Sequence, residues 1–412
     1  MTSIQQFFRE LKKERTRILL TILAIVWGTA SIVIMLAIGD GVTRGMERGM
    51  HGMGKGIVVV WGGETSKPFK GLGIGRKIRL REEDARMLQE QVPGIKLISP
   101  EYIRWGAYLA WGDHSMTTRT DGVYPAYGQL RNVYPQKGGR FLNELDLESR
   151  RRVIFLGNTV KERLFGKKEA VGQTVYLNRV PFTVIGVMKK KIQMGCYQGN
   201  DENGTFIPAS TFRVMFGHRY LNDIVYSPRD ISRAKQVKKR VYEVMGKRYR
   251  FDPEDKSTLN MWDTIKREQK FGKVTTGVRI FLGIIGGLTL IVAGVGLANI
   301  MYAVIRNRTR EIGIKMAVGA KRRNIITEYV LQSLLTVFAG GLIGLGFSWF
   351  LVKIINIIPI KQEALQYLGR PVMSVTTALI AAGVLGLVGF LAGIFPARRA
   401  ASVNPVEALR YE

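Results

Sequence analysis

Cysteine is almost absent from this 412-residue sequence, in which Cys196 stands alone. A single cysteine cannot close an intrachain disulfide, so no disulfide framework holds the fold together. The long region around it, roughly 230 residues, must rely on its own hydrophobic core, and that length is sufficient for one. We expect Cys196 to be an inert side chain, and an intermolecular bridge is the alternative.

Residues that carry catalysis or bind metals are also scarce. The three histidines, His51, His114 and His218, are scattered and show no metal-ligand spacing. No G-x-x-x-x-G-K-[ST] motif occurs, and the glycine-rich GLGIGRK (71–77) precedes a strand-like run, which favours a flexible hairpin over a phosphate cradle. No Ser/His/Asp arrangement or carboxylate pair is recognisable. We therefore expect a non-catalytic chain with no cofactor or metal of its own.

Acidic residues are few, with 32 Asp and Glu against 62 Lys and Arg, a formal net charge of +30. Such an excess would ordinarily suggest nucleic acid as a partner. The region 40–275 alone carries 43 basic and 25 acidic residues, a net +18. The topology below places that region outside the cell, so we expect no nucleic acid. Anionic lipid headgroups, envelope polymers or an acidic protein would suit it, and a merely solvated basic surface explains it equally well.

Long apolar runs, in contrast, are plentiful. Four segments are long and apolar enough to cross a membrane as helices, at 18–38, 280–305, 329–352 and 375–395. The first is too long for a typical signal-peptide core and lacks a clean cleavage site, so we interpret it as an anchor. The spans contain no acidic residue, which argues against an ion-coupled transporter.

Positive charges predict the orientation of these spans, because short cytoplasmic flanks are enriched in Lys and Arg. Cations crowd three flanks: Arg9, Lys12, Lys13, Arg15 and Arg17; Arg306, Arg308, Arg310, Lys315, Lys321, Arg322 and Arg323; and Arg398 and Arg399. The short segment 356–373 has only Lys361 and Arg370. Both termini and the 306–324 loop are thus expected in the cytoplasm, and 40–275 outside.

The outer region has the pattern of an α+β domain with two subdomains. The predicted strands are 56–61, 96–98, 103–111, 153–157, 174–177, 181–187, 205–207 and 249–252, and the predicted helices are 82–91 and 232–245. The strands from 153 to 207 are short and separated by Gly and Asn turns, unlike their flanks. They predict a β-rich insert, about 126–219, carried by two flanking halves.

These patterns give a domain plan for a membrane α-helical protein, with the large α+β domain inserted between helices 1 and 2. The predicted segments are an amphipathic interfacial helix on membrane lipid (1–17), transmembrane helix 1 with a stalk (18–50), the outer domain (51–261), a stalk with helix 2 (262–305), a cytoplasmic loop (306–328), helix 3 (329–355), an outer loop (356–373), helix 4 (374–397) and a cytoplasmic tail (398–412). Gly277 is the weakest point of the long helix 262–305, since glycine disfavours helix interiors.

Glycines recur at G-x-x-x-G spacing within the spans, a pattern that lets membrane helices approach closely. The alternative is that glycine is simply common in membrane helices. The candidate packing residues are Gly283, Gly287, Gly340, Gly344, Gly389 and Gly393.

Several motifs together resemble the type VII ABC transporter permeases, also called MacB/FtsX-type permeases. They are NIM (299–301), RTREIGIKMAVGA (308–320), FPARRAA (395–401) and NPVEAL (404–409), and, in the outer region, GRF (139–141), VIFLG (153–157), LFG (164–166), VG (171–172), FTVIGV (182–187) and FIP (206–208). The resemblance spans nearly the whole chain in collinear order. Asn307 departs from the pattern, because an acid often precedes the Arg-Thr-Arg run.

The resemblance implies a dimer of four-helix subunits, either two copies or a paired permease, with ATPase subunits on the cytoplasmic side. It also implies mechanotransmission, in which ATP-driven movements reach the outer domain without passage of substrate through the spans. The macrolide-exporter branch carries a fused N-terminal ATPase, whereas this sequence starts at Met1 with the interfacial helix. We therefore expect ATP to be bound by a separate ATPase chain.

The loop between spans 2 and 3 is the expected coupling helix that docks on the ATPase. An apolar wedge with a cationic rim suits a groove, although without a partner it would lie on lipid. The candidate coupling residues are Arg308, Arg310, Glu311, Ile312, Ile314, Met316, Ala317, Val318 and Gly319. Gly319 is expected to end the helix and Gly313 to allow close approach. Glu328 is expected to form a structural ion pair near Arg322 and Arg323.

Several functions remain compatible with this family. Export of small molecules or peptides through a periplasmic adaptor and an outer-membrane duct is our first expectation, because the outer region best resembles the exporter core domain. Lipoprotein extraction and regulation of cell-wall hydrolases are alternatives on the same fold. A ligand-sensing scaffold is the non-transport alternative, and it would need a cytoplasmic output domain that we do not find.

Overall fold

The structure, a computed structural model, describes residues 15–358 and 369–402. Most of the predicted interfacial helix 1–17, the middle of the loop 356–373 and most of the tail 398–412 lie outside the described residues. The chain divides into two compact units, a helical unit formed by Met1–Gly45 with Gly272–Glu412 and an α/β unit formed by Met46–Phe271. Each is described on its own below.

The described elements are listed here in chain order. The α-helices are α1 (Arg15–His51), α2 (Glu82–Gln91), α3 (Ala126–Leu130), α4 (Glu144–Glu148), α5 (Asn158–Phe165), α6 (Ala209–Phe216), α7 (Ala234–Tyr249), α8 (Thr264–Asn307), α9 (Thr309–Ala317), α10 (Arg322–Ile357) and α11 (Val375–Ala401). The strands are β1 (Val58–Gly62), β2 (Ile95–Trp111), β3 (His114–Val123), β4 (Val153–Leu156), β5 (Thr174–Leu177), β6 (Val180–Val187), β7 (Gly204–Pro208), β8 (Asp223–Pro228) and β9 (Leu259–Asp263).

Four helices of the described chain, α1, α8, α10 and α11, are long and apolar enough to cross a membrane. A helix satisfies all its backbone hydrogen bonds within the segment, which a bilayer core requires. Ser374 caps the start of α11, where its side chain accepts a hydrogen bond from the Thr377 amide at 3.1 Å. The helix α8 continues unbroken through Gly277. The four predicted spans are thus confirmed.

The core of the helical unit is formed by apolar side chains from all four long helices. Buried members include Ile32 of α1, Leu297 of α8, Val337 of α10 and Leu385 of α11. The short helix α9 contributes Ile312 to the same cluster. In lipid, whose tails are as apolar as these side chains, such packing depends on close van der Waals contact between helices.

The α/β unit is built on nine strands in the order β3-β7-β4-β6-β5-β2-β8-β1-β9. Because β2 also pairs with β3, the hydrogen bonds close a ring of six strands: β2, β3, β7, β4, β6 and β5. The remaining strands, β8, β1 and β9, extend the sheet from the first half of β2. Closing a sheet removes its free edges, which otherwise invite aggregation.

The long strand β2 serves both parts of this sheet because it bends in the middle. Its register against β3 shifts between Arg104 and Ala107, so that Trp105 and Gly106 stand opposite one residue, Arg119. Gly106 has a φ of +69°, a left-handed conformation that glycine adopts without steric cost. A β-bulge of this kind bends a strand and re-aims its side chains.

The two predicted parts of the α+β domain therefore share strands. The strands of the insert, β4 to β7, do group together, but they close their ring only through β2 and β3, which precede position 126. The two strands expected at 96–98 and 103–111 are one bulged strand, and the strand expected at 249–252 is absent, since α7 runs to Tyr249 and β9 follows at Leu259.

Candidate functional site

The helix α9 lies between the second and third long helices and begins directly after α8 ends. The amide of Arg308 donates to the carbonyls of Val304 and Ile305, each at 3.1 Å, and Thr309 Oγ1 donates to the Arg306 carbonyl at 2.9 Å. These bonds satisfy backbone groups that the break between two helices would otherwise leave unpaired. The junction is therefore a well-bonded turn rather than a loose loop.

The end of α9 is a Schellman motif. The amide of Ala320 donates to the Lys315 carbonyl at 3.0 Å, and the amide of Gly319 donates to the Met316 carbonyl at 3.1 Å. Gly319 has a φ of +100°, which an L side chain rarely adopts. The expectation that Gly319 ends the helix is confirmed.

One face of α9 packs into the helical unit itself. Ile312 is 1% exposed and belongs to the core cluster, Gly313 is buried, and Met316 packs against the same cluster. Ile312 and Met316 are among the predicted coupling residues, but in the structure the helical unit itself covers them. The sequence pattern shows two adjoining apolar faces on α9 and does not indicate which of the two the rest of the chain covers.

The other face of α9 is open. Val318 is 84% exposed, Ile314 is 47% exposed and Ala317 is exposed; we call these three residues the α9 patch. Exposed charges surround the patch in sequence: Arg310, Glu311, Lys321, Arg322 and Arg323. Arg308, by contrast, is only half-exposed. Of the nine predicted coupling residues, the structure thus leaves the α9 patch, Arg310, Glu311 and Gly319 well exposed.

An ion pair fixes α9 to the start of α10. Lys315 Nζ lies 2.7 Å and 3.0 Å from the two carboxylate oxygens of Glu328. The sequence reasoning expected a pair near Arg322 and Arg323 instead, because these are close in sequence. Both partners are partly exposed to the surroundings, so this pair alone contributes less than about 1 kcal/mol. Its main effect is to set the orientation of α9.

Four of the six candidate packing glycines lie at close helix contacts. A Cβ at Gly340 would come within 2.8 Å of Ile25, and one at Gly344 within 2.7 Å of Thr29, both on α1. On α11, a Cβ at Gly389 would come within 2.9 Å of Val337.

Gly393 is the fourth glycine at a close contact, whereas the two glycines of α8 are not in close contact with another described helix. A Cβ at Gly393 would come within 2.7 Å of Ser333, whose hydroxyl donates to the Gly389 carbonyl at 2.7 Å. Gly283, however, meets only Leu36 at 4.0 Å, and nothing in the described chain lies within 4 Å of a Cβ at Gly287. On α8 the glycine pattern therefore marks an open surface of the protomer, whereas on α10 and α11 it marks internal packing.

A polar cluster around Asp40 of α1 was not predicted from the sequence. Asp40 accepts hydrogen bonds from Ser374 and Thr377 at 3.1 Å and 3.0 Å, and it pairs with Arg279 at 2.8 Å. One carboxylate thus joins α1, α8 and the start of α11. The signal was an acidic residue directly after the first apolar run, with a basic residue directly before the second.

The α/β unit contains a buried ion network between β3, α3 and the 3₁₀ turn Asp201–Asn203. Asp201 pairs with Arg131 and Lys191, each at 2.7 Å, and Arg119 chelates Asp121 through Nε and Nη2 at 3.0 Å and 2.9 Å. Burial opposes ionisation of Asp201, but the attraction of Arg131, Lys191 and Arg119 outweighs it and lowers its pKa. This network fixes a long loop to the sheet.

Two further carboxyl groups lie next to this network, Glu101 on β2 and Asp223 on the adjacent strand β8. Glu101 is the register partner of Asp223, and it accepts hydrogen bonds from Tyr127 at 2.8 Å and Tyr197 at 2.7 Å. Burial, and then the nearby negative charge of Glu101, raise the pKa of Asp223 well above its usual range. Asp223 therefore keeps its proton to a higher pH than an exposed aspartate does, because a second buried negative charge beside Glu101 is costly.

The described residues hold no group of three or more His, Cys, Asp or Glu side chains with the geometry of a metal site. The carboxylates of the network face guanidinium and ammonium groups instead. Cys196 is exposed in the α/β unit.

Comparison with known families assigns both units. Residues 18–244 match the family model described as a MacB-like periplasmic core domain, and residues 283–405 match that described as an FtsX-like permease C-terminal region. Together these matches include the first long helix, nearly all of the α/β unit and the three later long helices.

Individual relatives are similar along the entire chain. The macrolide export ATP-binding/permease protein MacB of Bdellovibrio bacteriovorus is 30% identical over 99% of this chain, and the pyoverdine export ATP-binding/permease protein PvdT of Pseudomonas syringae pv. tomato is 29% identical over 100% of it. The chain spans about 60% of the length of these curated relatives. A crystal structure of the periplasmic region of MacB from Actinobacillus actinomycetemcomitans matches 54% of this chain and 95% of its own, at 20% identity and a TM-score of 0.43.

Proposed function

This chain belongs to the MacB-like family of ABC transporter permeases, with a MacB-like periplasmic domain and an FtsX-like C-terminal region, and from that premise we propose that it works by mechanotransmission. In this proposal an ATPase on a separate polypeptide binds and hydrolyses ATP. Its movement enters the permease through α9 and reaches the periplasmic α/β unit through the long helices. Substrate does not pass between the spans.

The α9 patch is the observation that carries this proposal. A soluble or membrane protein normally buries the apolar side of a short amphipathic helix against itself, as α9 does with Ile312. Here a second apolar face, with Val318 at 84% exposure, remains uncovered and is flanked by cations. An apolar centre with a charged rim is the usual composition of a protein–protein contact. The Schellman end and the Lys315–Glu328 pair set the orientation of α9 relative to α10, as a contact that passes on movement needs.

We further propose that α9 and both chain termini lie in the cytoplasm of an inner-membrane protein. The support is the concentration of Arg and Lys around α9 and in the last turn of α11, as the positive-inside rule requires. With that orientation, the α9 patch faces the compartment that contains ATP, and the α/β unit lies in the periplasm.

Two permease protomers would complete the complex, either two copies of this chain or this chain with a related one. Support comes from α8, whose segment in the helical unit leaves Phe281, Ile284 and Leu288 more than half exposed. Gly287 and Gly296 on the same helix have open space where a Cβ would be. Small residues on an uncovered apolar face allow a second helix to approach closely.

For the cargo, we propose efflux of small molecules or peptides from the periplasm with an adaptor and an outer-membrane duct. Two similar proteins are named for export of macrolides and of pyoverdine. The names of these relatives favour export over lipoprotein extraction or control of cell-wall hydrolases as the function of this chain.

The proposal is tested by reconstituting the chain in lipid nanodiscs with a co-expressed ABC ATPase. We expect a stable complex whose ATP hydrolysis rate differs from that of the ATPase alone, and which changes further when the adaptor is added. Failure of the ATPase to bind the nanodisc-embedded chain would contradict mechanotransmission. Stimulation by a lipoprotein but not by the adaptor would instead refute the export assignment.

A further inference from the structure

A cavity of about 330 Å³ opens beside the bulge of β2 in the ring of six strands. Its polar and aromatic lining comes from β2, β3, α5 and the turn before β7: Trp105, Arg119, Arg163, Asn200 and Asn203. Nothing in the proposed coupling mechanism uses this cavity. Its volume is at the lower end of the range for small-molecule sites, about 300–1,000 Å³.

The bulge in β2 is what places an aromatic wall on this cavity. With Gly106 in a left-handed conformation, Trp105 faces Arg119 across the strand pair, and the guanidinium lies 5.9 Å from the centre of the indole ring. Trp105 nevertheless remains 61% exposed. A large apolar ring held open to solvent beside a cavity is a surface on which a flat ligand can stack.

The guanidinium of Arg119 is held rigidly at the floor of the cavity. It is 6% exposed, it chelates Asp121, and its Nη1 also donates to the Gln198 carbonyl. Glycine is required around it, because a Cβ at Gly204 would lie 2.8 Å from Nη2 and one at Gly199 would lie 3.3 Å from Nη1. A guanidinium has five N–H donors, so Nη1 keeps one N–H beyond that given to Gln198.

The charge of the lining favours an anion. Its two ionisable residues are Arg119 and Arg163, and the lining contains no carboxylate. Arg119 is already paired with Asp121, whereas Arg163, which is exposed at the end of α5, has no ion pair within the part of the chain that the structure describes. The cavity therefore offers one uncompensated positive charge, together with the amide groups of Asn200 and Asn203.

We propose that this cavity is a binding site for a small monoanionic carboxylate that carries a flat apolar group. The carboxylate pairs with Arg163 and accepts hydrogen bonds from the asparagine side chains and the remaining Arg119 N–H, while the flat group stacks on Trp105. A carboxylate matches the fork of a single guanidinium. A phosphate monoester, with up to two charges, would leave one charge unmatched. The site lies within the α/β unit and requires no ATPase, so it stands or falls independently of the coupling proposal.

Binding of 2-naphthoate to the full chain in nanodiscs tests this proposal, with isothermal titration calorimetry as the readout and empty nanodiscs as the blank. The neutral isostere 2-naphthamide and the dianionic 2-naphthyl phosphate serve as comparison ligands. We expect 2-naphthoate to bind at least about tenfold more tightly than either. Arg163→Gln and Trp105→Ala should each weaken binding by about tenfold, and both residues are exposed enough for the variants to fold.

The matched control is Arg152→Gln, an exposed arginine at the far end of β4, away from Gly204 and the cavity. It should leave the affinity for 2-naphthoate unchanged. Equal affinity for naphthoate and naphthamide, or equal losses in the Arg152 and Arg163 variants, would overturn the assignment. Tighter binding of 2-naphthyl phosphate would overturn the carboxylate class.

Discussion

Replacing Ile314 and Val318 together by asparagine should weaken the complex with the ATPase while leaving the permease folded. Both side chains project from α9 on the face that the helical unit leaves uncovered. Asparagine at these positions removes apolar surface from the contact and adds polar atoms that docking would have to desolvate. The helix itself keeps its Schellman end, because Gly319 and its hydrogen bonds are untouched.

The magnitude follows from the exposed fractions of the two side chains, 84% for Val318 and 47% for Ile314. Complete burial of an aliphatic side chain contributes about 1.5–3 kcal/mol. Covering the exposed fractions is then worth about 1.3–2.5 kcal/mol at Val318 and about 0.7–1.4 kcal/mol at Ile314. The two together correspond to about 2–4 kcal/mol, or roughly a 30- to 700-fold increase in Kd.

The assay is biolayer interferometry of the purified ATPase on nanodiscs that carry the wild-type or variant chain. Val214→Asn is the matched control, since Val214 is 67% exposed in the α/β unit and should not affect ATPase binding. The melting temperature of the isolated permease should be the same for all three chains. A Kd for the double variant within about threefold of the wild type would refute the docking role of the α9 patch.

Three further predictions concern helix packing and electrostatics. Gly344→Ala should destabilise the permease by about 1–3 kcal/mol in chemical unfolding, because its Cβ would meet α1, whereas Gly346→Ala, in open space, should not. Asp40→Asn should lower the melting temperature and cost about 1–3 kcal/mol, because it removes the ion pair with α8. Because burial raises the pKa of Asp223 in the folded protein, the protonated form of this carboxyl favours the folded state. This contribution to the free energy of unfolding is fully present below the unfolded pKa of about 3.9 and is lost as pH rises through the folded pKa. Asp223→Asn should therefore flatten the fall in unfolding free energy with rising pH, which one proton limits to about 1.4 kcal/mol per pH unit. An unchanged slope in the variant would contradict a raised pKa at Asp223.

The membrane spans were predictable from their long apolar runs, because a span must be continuous and apolar whatever surrounds it. Gly319 was equally predictable, since a glycine after a short amphipathic run commonly ends a helix. Which apolar side chains of α9 are buried and which are exposed was not predictable in this way. Ile312 and Ile314 are the same residue type two positions apart, and only the packed bundle determines that the first is buried and the second exposed.

The α/β unit shows the same limit in its strands. The strand β3 (HSMTTRTDGV) carries Arg119 and Asp121 as a buried pair, so its sequence lacks the apolar alternation of a half-buried strand. The strand β9 (LNMWD) directly precedes α8, and its last two residues fall within the long helix that the sequence predicts from 262 onwards. Both segments form strands because of the strands that they pair with: β3 pairs with β2 and β7, and β9 pairs with β1.

The central claim, that nucleotide binding at the ATPase moves the periplasmic unit, can be measured without engineering a label site. Cys196 is the only cysteine in the sequence and is exposed in the α/β unit, so a spin label there reports one distance between two copies of the chain. Electron–electron double resonance on the complete complex should show a shifted Cys196–Cys196 distance distribution when ATP and vanadate are added, and the Ile314/Val318 double variant should abolish the shift. Identical distributions with and without nucleotide in the wild-type complex would contradict mechanotransmission by this chain.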